Sequence, residues 1–235
     1  VYENMQEIFE NYIDNSFDGH NQADFKLRQF DLNYKKYFNK SITSRVIDIG
    51  VGRGEMLSCM KKWTDNYHGI DISPSTVDFC KKLDLSCELV DDTEFWLKNH
   101  QNQFDIITCL DVLEHIPKER LIQFVEAIRN SLTKDGLAIF QVPNLQSPFG
   151  YLHHFNDITH ISGFVEHSLN QVLLSVGFNN LSFFGFEEFY EKTPKILLKK
   201  ILRFFYRKLI RFLRTINANP NPRILDPVIS VVAYR

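Results

Sequence analysis

The sequence predicts an α/β fold: a doubly wound, seven-stranded, mostly parallel sheet with helices on both faces. Two observations lead to this prediction. Short apolar runs alternate with helical segments through six β/α units, and a final apolar run follows them. Several of the runs are followed by an acidic or amide residue, for example Asp71 and Asn144. Because ligand sites in such sheets lie at the carboxyl ends of the strands, we expect these residues to gather around one site.

The apolar runs and the turn signals between them define the elements in order. Ser73-Pro74 is a helix start, with an N-cap residue and a proline in the first turn, and Gly177 ends the last helix of the core. Residues 133–136 are predicted as a turn and residues 145–161 as a loop. The predicted strands cover 45–49, 67–70, 87–90, 104–109, 137–142, 181–186 and 228–234, and the predicted helices cover 55–63, a stretch from 73, 118–132 and 166–176.

Two segments extend this core, and together they give a single predicted domain over residues 1–235. Residues 1–40 carry spaced aromatic side chains and are expected to form a helical lid, with Tyr34 as its ligand contact. Residues 189–222 are an insertion that contains a basic amphipathic helix over 195–214. The core then occupies 41–188 and 223–235. The helix is expected either to pack on its own sheet or on a second subunit of a homodimer, or to lie on an anionic membrane.

Composition limits the partners of the protein. The formal net charge of -2 predicts no general attraction to nucleic acid. No apolar run approaches the roughly 20 residues of a membrane-spanning helix, and the N-terminal residues do not read as a secretory leader. The four cysteines lack the paired spacing of a metal site and are typical of buried thiols in a reducing compartment. We therefore expect a cytoplasmic protein.

The first predicted strand runs into a glycine-rich loop, V46-I-D-I-G-V-G-R-G-E55. Glycines at 50, 52 and 54 allow a sharp turn and a close approach of the backbone to a ligand. A dinucleotide fingerprint would need glycine where Glu55 stands, and no Lys-Ser/Thr pair forms a phosphate loop. The pattern D-x-G-x-G-x-G instead resembles motif I of the class I S-adenosylmethionine-dependent methyltransferases. The resemblance implies S-adenosylmethionine as cofactor, held by Asp48, Gly50, Gly52 and Gly54.

Further motifs extend this resemblance in the same order and at the same spacing. Asp71 lies about twenty residues beyond the loop, where α/β cofactor folds place the acid that accepts the ribose hydroxyls. The family places an adenine contact after the third strand, which here is Asp91 or Asp92, with Asp92 favoured. The predicted cofactor site is completed by Ile72 and Leu110. The motifs that carry the resemblance are D48-I-G-V-G-R-G-E, G69-I-D, D91-D, F104-D-I-I-T-C-L-D-V-L-E-H-I-P and L132-T-K-D-G-L-A-I-F.

The chain also resembles a bacterial subgroup associated with capsule and O-antigen sugars. In that subgroup an Asp-x-Thr-His element follows the fifth strand, here Asp157-Ile158-Thr159-His160. Its members often carry Phe-Arg-Gly near the start, whereas this chain has Phe17-Asp18-Gly19. The resemblance implies transfer of a methyl group to a hydroxyl of a sugar, nucleotide-linked, in surface-polysaccharide synthesis.

A hydroxyl needs a base or a metal before it attacks a methyl group near neutral pH. Asp111, Glu114 and His115 stand at i, i+3 and i+4, which one helical turn would place on a single face. With His160 they could hold Mg²⁺ or Mn²⁺, similar to the E-x-x-E-H…H site of small-RNA 2′-O-methyltransferases and some ubiquinone-pathway O-methyltransferases. Alternatively the Leu-Glu-His residues only pack, and His115 or His160 is a general base. The candidate catalytic residues are His115, His160 and Asp157, while His153, His154 and His167 are interpreted as loop or surface residues.

Other functions stay open at this point. The acceptor group could be a phenol, a carboxylate or a phosphoramidate-type group rather than a sugar hydroxyl. The chain could also be a non-catalytic relative that binds S-adenosylmethionine, although the intact glycine loop and Asp71 speak against this.

Overall fold

The computed structural model describes residues 23–38, 44–187 and 193–235. It contains a seven-stranded sheet with helices on both faces, which confirms the predicted fold class. The strands are β1 (Val46–Ile49), β2 (Tyr67–Asp71), β3 (Cys87–Leu89), β4 (Phe104–Leu110), β5 (Leu132–Pro143), β6 (Asn179–Gly185) and β7 (Val228–Tyr234). The helices are α1 (Ala23–Tyr34), α2 (Glu55–Trp63), α3 (Pro74–Lys82), α4 (Thr93–Lys98), α5 (Lys118–Ser131), α6 (Gly150–Phe155), α7 (Glu166–Ser175) and α8 (Pro194–Ile216).

The strand order is β3-β2-β1-β4-β5-β7-β6, with β7 antiparallel to both of its neighbours. β1 lies between β2 and β4, pairs with both in parallel, and has all four of its residues buried. Side chains that alternate along β1 and β4 pack into two separate cores, one on each face. This double burial explains why the strands read as short, continuous apolar runs.

Two loop predictions were wrong. The segment 133–136 is not a turn before β5 but an irregular part of it, since Phe104 pairs with Leu132 and Ile106 pairs with Leu137. Any residue other than glycine at position 136 would place its Cβ atom only 2.9 Å from the Thr133 carbonyl oxygen, which explains why Gly136 is found there. Residues 145–161 contain α6, a helix too short to show a clear apolar period.

The N-terminal helix α1 packs across the sheet on the face that also carries α2 and α3. The Asn33 side-chain amide donates to the Glu187 carbonyl and accepts from the Glu187 N–H, both at 2.8 Å. Tyr34 was predicted to contact a ligand, but its side chain does not reach a ligand site. Its side chain is fully buried, and its hydroxyl donates to Gln141 Oε1 at 2.5 Å and lies 3.0 Å from Ser230 Oγ. The rest of the predicted lid, residues 1–22 and 39–40, lies outside the described residues, as does the Phe17-Asp18-Gly19 element.

We expect Tyr34→Phe to lower the free energy of unfolding by about 1–2 kcal/mol, because it leaves Gln141 and Ser230 polar atoms buried without the hydroxyl. Urea unfolding measures this difference. Tyr37→Phe, at a half-buried ring on the following turn, is the matched control and should change stability by less than about 0.5 kcal/mol. Equal effects of the two substitutions would contradict a structural role for the Tyr34 hydroxyl.

Candidate active site

A cavity of about 900 Å³ opens at the carboxyl ends of the central parallel strands, in the size range of small-molecule sites. One part of its wall is formed by the glycine loop and the end of β2. Another part is formed by residues that follow β4 and by the loop after α6. The predicted cofactor residues that line it are Asp48, Gly50, Gly52, Asp71, Ile72 and Leu110, and the predicted catalytic or metal residues that line it are Asp111, Glu114, His115, Asp157 and His160.

The glycine loop has the backbone that its sequence requires. Gly50 and Gly54 have φ values of 72° and 71°, in the left-handed region that favours glycine. A Cβ atom at Gly50 would lie 2.5 Å from the Val112 side chain, and one at Gly54 would lie 2.6 Å from Leu85. Gly54 is the N-cap of α2 and does not line the cavity, so its contribution is to close the loop onto the protein.

Two buried acids stand on the cofactor side of the cavity. The Thr108 hydroxyl donates to Asp48 Oδ1 at 2.5 Å, but burial raises the pKa of this carboxyl to about 8. Asp71 accepts from the Ser73 N–H at 2.8 Å; burial raises its pKa to about 6 against the opposing effect of backbone hydrogen bonds. A ligand with a cationic or hydroxyl group would interact favourably with both carboxylates and so offset the free-energy cost of burying them in the ionised form.

The predicted adenine acceptor is arranged differently from expectation. Neither Asp91 nor Asp92 lines the cavity. Asp92 is the N-cap of α4, where it accepts from the Phe95 N–H at 2.9 Å, and its other oxygen pairs with Arg120 at 2.9 Å. Both carboxylate oxygens of Asp92 therefore already have protein partners. The contact of Asp91 or Asp92 with adenine stays a prediction.

On the opposite wall, Glu114, His115 and His160 form a cluster in which one ligand atom of each lies within 4.8 Å of the others. Both oxygens of the Glu114 carboxyl are buried and have no hydrogen-bond partner among the residues that the structure describes. The cluster is held together through the backbone, since the Glu114 carbonyl accepts from the N–H groups of Ile161 and Ser162, each at 2.9 Å. These bonds place the loop that carries His160 directly against the turn that carries Glu114.

Hydrogen bonds determine which nitrogen of each histidine carries a proton. His160 Nδ1 lies 2.9 Å from the His154 carbonyl, which can only accept, so Nδ1 is the donor. The Thr159 hydroxyl donates to Asp157 at 2.6 Å and therefore accepts from His115 Nδ1, 2.8 Å away. In the neutral form the His160 ring then carries its lone pair on Nε2. His160 Nε2 lies 3.9 Å from Glu114 and 4.0 Å from Asp157.

Burial shifts the pKa values of this cluster in opposite directions for acid and base. Burial, and then the neighbouring His160, lowers the pKa of His115 to about 4, so this ring is neutral at physiological pH. Burial and the nearby Asp111 carboxyl raise the pKa of Glu114 well above its usual range. Burial also acts to raise the pKa of Asp157, but the hydrogen bonds from Thr159 outweigh it and leave the pKa lower than usual.

Asp111 was predicted to share a helical face with Glu114 and His115, and this prediction was wrong. Only residues 113–115 form a short 3₁₀ turn, and Asp111 precedes it with a left-handed φ of 55°. Its N–H donates to the Gln141 carbonyl, and its carboxylate accepts from the Gln141 side chain at 2.9 Å. Asp111 therefore faces the cavity but is not a member of the three-residue cluster.

Four residues of the site were not singled out in the sequence. Lys26 and Phe30 bring α1 to the cavity wall in place of Tyr34, and Thr108 holds Asp48. Thr159 connects Asp157 to His115, although it lies inside the Asp157–His160 element. His154 is buried rather than on the surface, and its carbonyl orients His160.

Comparison with known proteins decides the class of this site. A family model described as a methyltransferase domain matches residues 19–182. The chain belongs to this family. This membership agrees with the resemblance to the class I S-adenosylmethionine-dependent methyltransferases that the glycine loop predicted.

The methyltransferase has similar folds among solved structures. One is an S-adenosylmethionine-dependent methyltransferase from Archaeoglobus fulgidus, with a TM-score of 0.70, 21% identity, and coverage of 97% of this chain and 99% of that one. Another is 1,6-didemethyltoxoflavin-N1-methyltransferase from Burkholderia thailandensis with bound S-adenosylhomocysteine, with a TM-score of 0.60, 13% identity, and coverage of 99% and 86%. At these identities the similarity shows the fold alone.

Curated relatives match a shorter part of the methyltransferase. A ubiquinone biosynthesis O-methyltransferase from Actinobacillus pleuropneumoniae is 29% identical over 109 residues, which are 43% of this chain and 46% of that protein. A protein of the same name from Coxiella burnetii is 32% identical over 105 residues, which are 40% of this chain and 43% of that protein. The chain thus spans about half the length of the curated relatives it matches. Neither supports the predicted likeness to capsule and O-antigen sugar methyltransferases.

We expect Asp71→Asn to weaken S-adenosylmethionine binding by about 10- to 100-fold, because the amide cannot accept two ribose hydroxyls as a carboxylate can. Isothermal titration calorimetry measures the dissociation constant. Asp65→Asn is the matched control, since this exposed aspartate precedes the same strand that Asp71 ends. Unchanged affinity of the Asp71 variant would rule out the ribose role.

We expect Asp48→Asn to raise the free energy of unfolding of the cofactor-free protein, and we expect this gain over the wild type to increase with pH. With a folded pKa of about 8, Asp48 stays protonated on folding, whereas the unfolded chain ionises it above about pH 4. The folded state therefore loses stability relative to the unfolded state as pH rises from about 4 to 8. The gain in the free energy of unfolding should grow by on the order of 1 kcal/mol per pH unit in that range. Denaturant titrations at several pH values, with Asp65→Asn as control, would refute this if the gain were constant.

Proposed function

We propose that the protein is an O-methyltransferase that activates an acceptor hydroxyl at the Glu114–His115–His160 cluster. The observation that carries this proposal is the buried Glu114 carboxyl, whose two oxygens have no hydrogen-bond partner in the described part of the chain and lie close to two imidazole rings. The cluster lines the same cavity as Asp71 and the glycine loop. An acceptor bound beside it would therefore lie next to the cofactor, as an in-line displacement requires.

The reaction that this arrangement serves is a methyl transfer from a sulfonium. The acceptor oxygen forms a bond to the methyl carbon while the carbon–sulfur bond breaks, and the sulfur keeps the bonding electron pair. The hydroxyl loses its proton in the same reaction. The chain must therefore hold the oxygen in line with the methyl group and provide a destination for this proton.

The residues of the cluster fit a divalent cation. Glu114 offers two buried carboxylate oxygens, and the hydrogen bond from His160 Nδ1 to the His154 carbonyl leaves the His160 Nε2 lone pair available as a ligand. Two imidazoles and one carboxylate suit Mn²⁺ better than Mg²⁺, which prefers oxygen ligands. Asp111 is not in this ligand set. When bound, such a cation lowers the pKa of a coordinated hydroxyl.

The protein residues around the cluster orient its members. The Thr159 hydroxyl, which donates to Asp157, lies within hydrogen-bond distance of His115 Nδ1, and the low pKa of about 4 keeps the His115 ring neutral, as a metal ligand must be. The same low pKa makes His115 a weak base. If the cluster works without a cation, the proton of the acceptor hydroxyl therefore goes to His160 Nε2.

The acceptor class is the open part of this proposal. Ubiquinone biosynthesis is what the names of the curated relatives state, and it favours a small-molecule hydroxyl. The sugar hydroxyl predicted from the Asp157–His160 element remains a second acceptor to test. A cytoplasmic location, suited to the four free and buried cysteines, stays part of the proposal.

We expect wild-type protein freed of metal by chelation to bind Mn²⁺, and Glu114→Gln to lose at least about tenfold in affinity while still binding S-adenosylmethionine. Mn²⁺ titration by electron paramagnetic resonance measures this without any acceptor. His160→Ala should behave like Glu114→Gln, and His167→Ala, at an exposed histidine on α7, is the control that should bind normally.

Methyl transfer from labelled S-adenosylmethionine to a panel of phenols and nucleotide-linked sugars then identifies the acceptor. Transfer should fall at least about 100-fold in Glu114→Gln and after chelation, and Mn²⁺ should restore it after chelation. Full activity in the presence of a chelator, with loss only in His160→Ala, would replace the metal by the histidine base. Normal activity in both variants would refute the proposed role of the cluster.

A further inference from the structure

The helix α8 is oriented with its apolar side away from the protein. None of its residues is buried. The large apolar side chains recur at helical spacing on one side and are exposed, including Phe204, Phe205 and Phe212 at 57, 63 and 60%. Packing of this apolar side on the chain's own sheet, one of the predicted alternatives, does not occur. The exposed apolar residues are Leu197, Leu198, Ile201, Leu202, Phe204, Phe205, Leu209, Phe212, Leu213 and Ile216.

The opposite, basic side of α8 faces the body of the protein. Arg207 pairs with Asp226, and Arg214 donates to the carbonyls of Pro220 and Gln146 at 3.0 and 3.4 Å. The Tyr206 ring lies 5.6 Å from the ring of Phe149. Contacts of charged and polar groups thus attach the helix to the body. Burial of an apolar side usually attaches an amphipathic helix to its own core. The apolar side of α8 is instead exposed and not buried against the protein.

Charge distinguishes between the candidate partners for this outer side. The helix contains eight lysine and arginine residues and no acidic residue. The Lys208 ammonium lies 5.6 Å from the centre of the Phe204 ring, so cationic groups extend to the apolar side itself. Pairing of two copies of α8 would bring like charges together, which is unfavourable. Anionic lipid head groups would instead supply the opposite charge, while their acyl chains would accept the phenylalanine and leucine side chains.

A second exposed apolar surface continues from α8 towards the cavity. Phe149, which contacts Tyr206, begins a segment in which Phe155 and Ile158 are each 77% exposed. Ile158 also lines the cavity, next to Asp157. The outer side of α8 and the border of the active site therefore belong to neighbouring parts of one surface.

We infer that α8 binds this protein to an anionic phospholipid membrane, with its apolar side inserted at the level of the head groups. The helix lies in the plane of the membrane, and the body with the active site stands above its basic side. In the part of the chain that the structure describes, none of the helices has the length and apolar composition of a membrane span. This inference does not depend on the acceptor or the metal, because it rests only on α8 and its surroundings.

The test is flotation of the full chain with lipid vesicles in the presence of a chelator and without S-adenosylmethionine. Vesicles of equal parts phosphatidylcholine and phosphatidylglycerol should bind the protein at least about tenfold more tightly than vesicles of phosphatidylcholine alone. Added salt should weaken the binding to the anionic vesicles. Phe205→Ser combined with Phe212→Ser should lower the affinity at least about tenfold, and so should Lys208→Glu combined with Arg211→Glu.

Matched controls use exposed residues on other faces. Leu83→Ser with Leu174→Ser removes two exposed leucines, and Lys81→Glu with Lys82→Glu reverses two exposed charges. Both control variants should bind vesicles like the wild type, and thermal melts verify that every variant is folded. Failure of the wild type to float would overturn the inference. A dimer in light scattering that Phe205→Ser with Phe212→Ser dissociates would then assign the face to a second copy. Equal loss in test and control variants would also overturn it.

Discussion

The parallel pairing of β1 with both β2 and β4 is the constraint on which the rest of the structure depends. Ile49 is level with Ile70 on one side and with Cys109 on the other, so the three strands end at the same edge. The loops that leave them carry Gly50, Asp71 and Asp111 into one cavity. A shift of this register by one residue would turn the buried apolar side chains away from their cores, and the two helix layers hold it in place.

The site concentrates acidic groups that burial makes unfavourable in their ionised form. Asp48, Asp71 and Glu114 have pKa values raised by burial, yet each faces the cavity where a ligand would lie. Such groups lower the stability of the ligand-free protein and increase the affinity for cationic or hydroxyl-bearing ligands. The cofactor sulfonium and a divalent cation are ligands of this kind. The same electrostatic cost therefore explains both the predicted pH dependence and the proposed chemistry.

The cavity has two walls that different parts of the chain provide. The glycine loop and the end of β2 form the first wall. The cluster of Glu114, His115 and His160 depends on the loop after α6, which is held by hydrogen bonds to the Glu114 carbonyl. The helix α8 contacts Phe149, the N-cap of α6, through Tyr206, and α6 leads directly into this loop. Attachment of α8 to a membrane would therefore place the acceptor wall, rather than the cofactor wall, nearest to the lipid surface.

The sequence by itself determined the sheet, the glycine loop and the methyl donor, because these depend on local patterns. Short, continuous apolar runs that alternate with helical segments predict buried parallel strands. Glycine is required at positions 50 and 54 because the backbone there is left-handed and a Cβ atom would lie too close to a neighbouring side chain. The places of Tyr34, Asp92 and Asp111 could not be predicted in this way. Each forms a hydrogen bond or ion pair with a residue distant in the chain: Gln141 for Tyr34 and Asp111, and Arg120 for Asp92.

Tertiary structure likewise decided the orientation of α8 and the grouping of His115 with His160. An amphipathic pattern defines two sides of a helix but does not say which of them faces the protein. Here the pairing of Arg207 with Asp226 turns the basic side inward. The histidines are 45 positions apart, and they are brought together by the backbone bonds from Ile161 and Ser162 to Glu114 and by the hydrogen bond between Thr159 and His115. Long-range hydrogen bonds and ion pairs of this kind leave no periodic signal along a single chain.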